Sequence, residues 1–274
     1  MIAKADLACQ IMGVLNVTPD SFSDGGSYIA PQQALERAVQ MVNQGADIID
    51  VGGESTRPGS QPVTEQEELA RVLPVIQLIK AKLDTKISID TVRPAVMRAA
   101  VDAGADMIND VCALTQPGAL HAVVDLDVPV CLMHMQKTPS TMQCQPVYDD
   151  VVSEVKHYLS ARVEACLDAG IKRELLTVDP GFGFGKSLSH NLQMLNGLGR
   201  FAELGLPLLV GLSRKSMIGQ MIEADVGDRL NGSVVLAVLA AQNGANIIRV
   251  HDVRETRQAL MILDQVIKAK GNEL

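Results

Sequence analysis

The sequence is poor in aromatic residues and in positive charge. It contains no tryptophan, three tyrosines and four phenylalanines, so few rings are present on which nucleic-acid bases could stack. Its 32 acidic residues outnumber 24 basic ones, which gives a net charge of −8. A field of that sign repels phosphate backbones. We therefore expect no nucleic-acid partner, and an anionic ligand would have to meet a local cluster of cationic side chains.

Cysteine pairs and long hydrophobic runs are also missing. The five cysteines are an odd number and include no Cys-x-x-Cys spacing, a pattern that favours reduced thiols. The longest apolar run, residues 234–241, is far shorter than the about 18 to 20 residues that a membrane-spanning helix needs. No signal-peptide pattern is visible near the start. These features predict a cytoplasmic protein with no membrane partner.

The order of apolar patterns predicts the fold. No proline- or serine-rich linker divides the chain, so we expect one domain over residues 1–274. Eight units of about 34 residues each match the size of a (β/α)8 TIM barrel, whereas a doubly wound open sheet is the alternative because the same alternation fits it. The candidate strands are residues 10–16, 48–51, 86–90, 107–110, 129–134, 175–179, 207–211 and 247–251.

Local signals mark where individual helices begin and end. Thr64 and Glu67 open a predicted helix as a capping box, in which each side chain bonds the other residue's backbone amide. A short repeat, Gly-Ala-Asp/Asn followed by two apolar residues, starts at Gly45, Gly104 and Gly244. Each glycine is expected to adopt the left-handed conformation that ends a helix before the next strand.

Polar residues cluster at the carboxyl ends of the predicted strands, where a barrel builds its ligand site. Arg249 and His251 are two positions apart, so their side chains are expected on one face as a clamp for an anion, with a surface salt bridge as the alternative for Arg249. The full set of polar strand-end residues is Asn16, Asp50, Asp90, Asn109, His134, Asp179, Arg249 and His251.

Several familiar motifs are approached but not met. The string DPGFGFGK at 179–186 departs from a P-loop because the first required glycine falls at Pro180. The string GLSRK at 211–215 lacks the closing glycine of a nucleophile elbow, since Lys215 stands there. A zinc site built on Cys131, His134 and Cys144 conflicts with strand alternation, which points Cys131 and His134 to opposite faces.

Five long strings give the chain a family resemblance. They are MGVLNVTPDSFSDGG at 12–26, DVGGESTRPG at 50–59, DPGFGFGK at 179–186, SRKS at 213–216 and RVHD at 249–252. With these strings the chain resembles the bacterial dihydropteroate synthases, the folate-pathway enzymes that sulfonamides inhibit. The resemblance implies a (β/α)8 barrel that joins 6-hydroxymethyl-7,8-dihydropterin diphosphate to p-aminobenzoate and releases diphosphate and 7,8-dihydropteroate.

The resemblance also implies a role for each motif residue. Asp90, Asp179 and Lys215 would be the catalytic residues, and Asn16 would also ligate Mg²⁺. The pterin would contact Asp90, Asn109, Met133, Asp179, Gly183 and Lys215. The diphosphate would contact Asn16, Thr56, Arg57, Arg249 and His251. The p-aminobenzoate pocket would be Phe22, Thr56, Arg57, Pro58, Phe184, Lys215 and Ser216.

The implied reaction is dissociative, with diphosphate leaving the pterin methylene before the aniline nitrogen attacks, so no protein nucleophile is required. The apolar helix around residues 234–241 allows a homodimer interface. Two other functions are left open by the residues: a pterin-dependent methyl transfer, against which the loops at 213–215 and 55–58 argue, and a pterin-binding protein without catalysis, against which the anion clamp argues.

Overall fold

The computed structural model describes residues 9–17, 31–55, 63–137, 141–142 and 144–271. The strands in this part are β1 (Gln10–Asn16), β2 (Ile48–Gly52), β3 (Lys86–Asp90), β4 (Met107–Asp110), β5 (Val130–Met133), β6 (Leu176–Asp179), β7 (Leu209–Gly211) and β8 (Ile247–Val250). The helices are α1 (Pro31–Asn43), α2 (Glu65–Lys82), α3 (Pro94–Asp102), α4 (Ala119–Leu126), α5 (Val151–Asp168), α6 (Leu188–Asn196), α7 (Ser216–Ile222), α8 (Leu230–Gln242) and α9 (Val253–Gly271).

The strands form one parallel eight-stranded sheet in the order β6-β5-β4-β3-β2-β1-β8-β7. An isolated parallel bridge between Val178 and Leu208 joins the two outer strands, and the Val178 amide donates to the Pro207 carbonyl over 3.0 Å. The sheet therefore closes on itself, and the predicted (β/α)8 barrel is confirmed over the doubly wound alternative.

The interior of the barrel is layered in a way that places the polar residues. Strand residues two positions apart face the same side of a sheet, so each apolar side chain in the lower layer has an interior-facing residue directly above it. That second layer includes Asp50, Asn109, Met133 and Arg249, each two positions after a member of the apolar layer. The apolar layer itself is Met12, Ile48, Met107, Cys131, Leu209 and Ile247.

The repeated Gly-Ala-Asp/Asn string has a structural role beyond ending helices. Its three glycines have φ angles of +102°, +113° and +101°, so the predicted conformation is confirmed. The residue two positions after each glycine uses its side chain to accept a backbone amide of an adjacent strand segment, and so sets the strand register. These bonds are Ile11 to Asp47 at 2.8 Å, Ile87 to Asp106 at 2.9 Å and Leu208 to Asn246 at 2.8 Å.

The capping box predicted at the start of α2 is only half formed. The Thr64 hydroxyl accepts the Glu67 amide over 3.2 Å, as predicted. The Glu67 carboxylate, however, pairs with Arg71 one turn later, because a guanidinium offers it a stronger partner than a backbone amide. The reciprocal bond was therefore predicted wrongly.

Two further properties of the described residues concern membrane-spanning helices and cysteines. Within the described ranges, none of the helices is long and apolar enough to cross a membrane. All five cysteines are free thiols, and three of them are buried.

Candidate active site

A group of charged side chains occupies the barrel interior just above the apolar layer. Arg249 on β8 donates through Nε to Asp50 Oδ2 over 2.6 Å and through Nη2 to Asp90 Oδ2 over 2.8 Å. Asn109 donates its amide to the same Asp50 oxygen over 3.3 Å. One guanidinium therefore bridges carboxylates from two other strands, and Asp50 is completely buried.

The charges in this group do not balance, because two carboxylates share one guanidinium. Burial raises the pKa of Asp90 to about 7; Arg249 opposes the rise and the charge of Asp50 adds to it. Burial would lower the pKa of Arg249, but Asp50 and Asp90 raise it above its ordinary value. Arg249 is therefore always charged, and the carboxyl proton of Asp90 is exchangeable near neutral pH.

A second acid–base pair lies on the opposite side of the mouth. Asp179 ends β6, and its Oδ1 accepts the Gly181 amide over 2.7 Å. Burial raises the pKa of Asp179, while the Lys215 ammonium and that amide oppose the rise. Burial lowers the pKa of Lys215 to about 8. These side chains can therefore offer a ligand an acceptor and a donor side by side.

Lys215 is held against the glycine-rich turn 181–185. Its ammonium donates to the Phe182 carbonyl and lies 4.6 Å from the centre of the Phe184 ring. A side chain on Gly183 would approach the Lys215 stem to 3.1 Å. The glycine therefore leaves the space that the lysine stem uses, and the Phe184 ring contributes a cation–π contact.

The same turn cannot act as a phosphate cradle, in agreement with the failed P-loop motif. The backbone amides of Gly181, Gly183 and Phe184 bond within the protein, to Asp179, to Asn191 over 2.8 Å and to the Gly181 carbonyl over 3.1 Å. Gly181 has a φ of +68°, and a Cβ there would lie 1.9 Å from the His134 carbonyl oxygen. Glycine at this position serves close backbone packing.

Lys186 closes the turn from behind and was not among the predicted site residues. Its buried ammonium contacts His134 Nδ1 at 2.9 Å, the Gly181 carbonyl at 2.9 Å and the Phe184 carbonyl at 3.1 Å. Three acceptors match the three N–H groups of an ammonium. Burial lowers the pKa of Lys186 well below its ordinary value, and burial, followed by the charge of Lys186, lowers the pKa of His134 to about 3.

We expect Lys186→Met to lower the free energy of unfolding by about 2 kcal/mol, because three buried acceptors lose their donor while the stem is kept. Urea denaturation monitored by circular dichroism measures the change. Lys172→Met, which removes an exposed lysine paired with Asp127, is the control and should have little effect. Equal stability of the Lys186 variant and the wild type would contradict a structural role for this ammonium.

His251 lies one residue beyond β8, which ends at Val250 and not at the predicted residue 251. Its backbone amide and its ring Nδ1 both lie within hydrogen-bonding distance of Ser213 Oγ, at 3.2 and 3.1 Å. Arg249 faces Asp50 and Asp90. The structure thus places both clamp residues at the carboxyl end of the same strand, and a joint contact with one anion stays a prediction.

Asn16 ends β1 next to an open space above Gly52. A Cβ built on Gly52 would be 3.6 Å from Asn16 Oδ1 and 3.8 Å from Asp90 Oδ2. The missing side chain therefore leaves a small cradle between an amide oxygen and a carboxylate oxygen. Oxygen atoms of these kinds are ligands for hard cations such as Mg²⁺.

The remaining predicted residues fall into three groups. Met133 is buried, and its Cγ lies 3.3 Å from the position of a Cβ on Gly181. Ser216 is exposed at the first position of α7. Four predicted residues lie outside the described part of the chain: Phe22, Thr56, Arg57 and Pro58.

Comparison with known proteins finds a matching family and similar sequences over most of the chain. Residues 12–251 match the family described as pterin binding enzyme. The chain is 52% identical over 263 residues to the dihydropteroate synthase of Escherichia coli K12, covering 96% of this chain and 93% of that protein.

Solved structures give the same result. The dihydropteroate synthase of Yersinia pestis with a sulfonamide drug complex superposes with a TM-score of 0.92 at 50% identity, covering 95% of this chain and 94% of that one. The Xanthomonas albilineans enzyme with 4-aminobenzoic acid superposes with a TM-score of 0.89 at 51% identity, covering 94% and 93%.

Proposed function

Because this chain belongs to the pterin binding enzyme family as one of its dihydropteroate synthases, we propose a division of labour among the residues of its barrel mouth. The chain is a transferase that condenses 6-hydroxymethyl-7,8-dihydropterin diphosphate with p-aminobenzoate, releasing diphosphate and 7,8-dihydropteroate. The observation that carries the proposal is the mouth itself, where Arg249 bridges buried carboxylates on one side and Lys215 faces Asp179 on the other.

The pterin ring is assigned to the residues around Asp179, Asp90 and Asn109. Its amino-pyrimidine edge presents N–H donors, which carboxylates accept strongly in a buried site. Lys215 supplies a donor for the acceptor side of the ring, and Met133 and Gly183 provide its walls. The carboxylates also favour positive charge on the pterin, so they stabilise the cation that remains when the leaving group departs.

The diphosphate is assigned to Arg249 and His251, together with Asn16, Thr56 and Arg57. As the bond between the pterin methylene carbon and the diphosphate oxygen breaks, negative charge grows on that oxygen, and cationic side chains stabilise it. The aniline nitrogen then forms the new bond to the methylene carbon and loses a proton to the released diphosphate or to solvent. Since the leaving group departs first, no covalent enzyme intermediate is needed.

The p-aminobenzoate and sulfonamides that resemble it are assigned to the outer part of the mouth. Of the residues assigned to this pocket, the structure describes Phe184 on the loop after β6, Lys215 on the loop after β7 and Ser216 at the start of α7. The others, Phe22, Thr56, Arg57 and Pro58, are assigned from the sequence. A cation above an aromatic ring suits an aromatic carboxylate, because the ring stacks and the ammonium attracts the charge. Inhibitors of the sulfonamide class are expected to compete here.

Mg²⁺ is proposed as the metal cofactor, held on the protein side by Asn16. The residues fit this ion, because the cradle above Gly52 offers few protein oxygens and Mg²⁺ is usually bound by one or two such ligands with waters and substrate phosphates. When bound, the ion supplies positive charge to the diphosphate. Asp90 contributes less, since Arg249 already occupies its Oδ2.

Gly52→Ala tests the cradle. The glycine has no unusual φ, and an added Cβ would meet its neighbours no closer than 3.6 Å, so folding should be unaffected. We expect the Mg²⁺-dependent gain in diphosphate affinity to fall by about tenfold, as estimated for the loss of a single well-placed ligand contact. Calorimetric titration of diphosphate at several Mg²⁺ concentrations measures it. Gly199→Ala, at an open position distant from the mouth in the fold, is the control, and an unchanged Mg²⁺ dependence would contradict the assignment.

The pKa shifts predict a narrow optimum for pterin binding. Below about pH 7 Asp90 becomes protonated and stops being a pure acceptor, and above about pH 8 Lys215 loses its charge. Affinity should therefore fall on both sides of this interval. Calorimetry from pH 5.5 to 9.5, corrected for titration of the free ligand, gives the profile. Asp90→Asn should remove the acid limb, and a flat wild-type profile would contradict the assigned ionisations.

The decisive experiment measures release of diphosphate as a function of both substrates. Release that requires both the pterin diphosphate and p-aminobenzoate, with formation of 7,8-dihydropteroate, is the expected result. Tight binding of the pterin diphosphate without turnover would instead indicate a binding protein. Methyl transfer to or from a corrinoid protein would indicate the other activity that pterin-binding barrels support.

A homodimer and a cytoplasmic location complete the proposal. Exposed apolar side chains lie on the adjacent helices α8 and α9, among them Val235, Leu239, Ile262 and Val266. Such side chains are typical of an interface core. The five free thiols are consistent with a reducing compartment.

A further inference from the structure

Two side-chain contacts join the loop after β7 to the loop after β8. Ser213 contacts His251 through its hydroxyl, and Arg214 pairs with both carboxylate oxygens of Asp252, at 2.5 and 3.0 Å. Arg37 also donates to the His251 carbonyl over 3.1 Å. The backbone at His251 is therefore held by Ser213 and Arg37, and Ser213 also contacts the ring at Nδ1.

The hydrogen bonds of Ser213 can be counted atom by atom. The His251 backbone amide can only donate, so Ser213 Oγ accepts that bond at 3.2 Å. The oxygen keeps a second lone pair, so two arrangements fit its 3.1 Å contact with ring Nδ1: Nδ1–H donates to Oγ, or the hydroxyl donates to an unprotonated Nδ1. The second is favoured because, among the contacts of the described residues, Nδ1 is the one acceptor within reach of the buried Ser213 hydrogen. In that arrangement Nδ1 carries no proton, and neutral His251 carries its proton on Nε2.

We propose that Ser213 is a positioning residue that holds His251 in the Nε2–H form, the tautomer in which the ring's outer nitrogen donates to the leaving diphosphate. The inference rests on the proposed assignment of His251 to the diphosphate. Ser213 is buried and acts on the ligand only through the histidine ring. Ser213 and Lys215 belong to the same SRKS string but differ in function, because Lys215 faces the pterin directly.

The two members of the anion clamp then play different parts. Arg249 is positively charged at every accessible pH, because Asp50 and Asp90 raise its pKa although burial opposes the rise. His251 supplies a directed N–H that does not depend on its being charged. A neutral donor fixed by a buried hydroxyl requires no reorganisation when the leaving group arrives, which is the condition for effective electrostatic stabilisation.

The test combines a spectroscopic measurement with a binding measurement. In protein labelled with ¹⁵N-histidine, the Nδ1 and Nε2 resonances of His251 report which nitrogen carries the proton, and His251→Gln assigns them. We expect wild-type His251 to be Nε2–H with an Nδ1 resonance displaced by the accepted hydrogen bond. In Ser213→Ala that displacement should vanish and the Nδ1–H population should rise.

Binding measurements with two ligands should show whether Ser213 affects the diphosphate or the pterin ring. We expect Ser213→Ala to weaken binding of the pterin diphosphate by about five- to tenfold, the size of one lost hydrogen bond, and to leave binding of the unphosphorylated hydroxymethyl pterin unchanged. Ser213→Thr keeps the hydroxyl and should keep both the tautomer and the affinity. Arg214→Ala, which removes the other contact between the loops, should leave the tautomer as it is.

Three results would overturn the inference: a wild-type ring protonated on Nδ1, an unchanged His251 spectrum in Ser213→Ala, or loss of the tautomer in Ser213→Thr. Failure of the proposed function is recognised separately. If His251→Ala binds diphosphate as tightly as the wild type does, His251 does not hold the leaving group, whereas the spectra of the Ser213 variants still show whether Ser213 sets the tautomer.

Discussion

Arg249→Ala is expected to weaken binding of the pterin diphosphate by about thirtyfold or more, because removal of one member of a buried charged contact typically costs about 2 to 5 kcal/mol. Binding of the unphosphorylated hydroxymethyl pterin should fall far less, since that ligand has no anion to hold. Paired calorimetric titrations of the two ligands measure the difference directly.

The same substitution should make stability depend more strongly on pH. Without Arg249, Asp50 and Asp90 remain buried with no cation, and the pKa of Asp90, already about 7 because of burial, should rise further. A carboxyl group with a raised pKa binds more protons in the folded than in the unfolded state, so stability falls as pH rises from about 4 through the raised value. The variant should therefore lose more stability at pH 8 than at pH 5.5, as urea denaturation at the two pH values would measure.

Two control variants make this result interpretable. Arg98→Ala removes a guanidinium from an exposed pair with Asp125 and should change neither binding nor the pH dependence. Adding Asp50→Asn to Arg249→Ala removes one of the unpaired charges and should restore part of the stability at pH 8. Equal losses of affinity for both pterin ligands would show that Arg249 holds something other than the diphosphate.

The site residues that could be predicted from the sequence are those for which strand periodicity is sufficient. A polar residue two positions after an apolar one on the same strand faces the same side, and this relation places Asn109 and Arg249 in the layer above Met107 and Ile247. Asp90 follows Ser88 and Asp179 follows Thr177, so these two are placed by their position at the carboxyl end of a strand. The barrel follows from eight strand–helix units, and the carboxyl ends of its strands form one mouth. The alternation of side chains along a strand and the closure of eight units into a barrel are regular features, so sequence patterns predict them.

The contacts that depend on side chains from distant elements could not be predicted. Arg249 and Asp50 are 199 positions apart and meet only because β8 and β2 both pair with β1 in the closed barrel. The sequence did place Asp50 at a strand end, within an otherwise apolar strand, and a lone carboxylate there is a signal that a cation must lie opposite. The identity of that cation requires the sheet order.

The glycine-rich string at 179–186 shows the opposite problem, in which a strong local pattern has several structural explanations. The string departs from a P-loop at Pro180. Its structural role, however, depends on contacts with residues outside the string, which no local pattern contains. Asn191 takes the Gly183 amide, and the His134 carbonyl occupies the space of a Gly181 side chain. Lys186 resembles the lysine of a phosphate loop, yet its ammonium is used up by the protein's own acceptors.

The second large effect is expected at Asp179, where the structure gives one of the two carboxylate oxygens a partner within the protein. Oδ1 accepts the Gly181 amide over 2.7 Å, which leaves Oδ2 for the donors of the pterin. In Asp179→Asn the amide oxygen can keep the bond to Gly181, so the turn is retained while an NH₂ group replaces the acceptor. We expect a loss of about 2 to 4 kcal/mol in pterin binding, because two donors then face each other in a buried site.

The matched control is Asp110→Asn, because Asp110 is also a buried strand-end carboxylate that accepts backbone amides, from Cys112 and Leu114. It lies one residue after Asn109, however, so alternation turns it to the outside of the barrel. That variant should lose stability without losing affinity for pterin. Calorimetry of both variants with the hydroxymethyl pterin then shows whether affinity depends on a carboxylate that faces the barrel interior or on any buried carboxylate at a strand end. We expect a loss of affinity at position 179 only. Unchanged affinity there would remove Asp179 from the site.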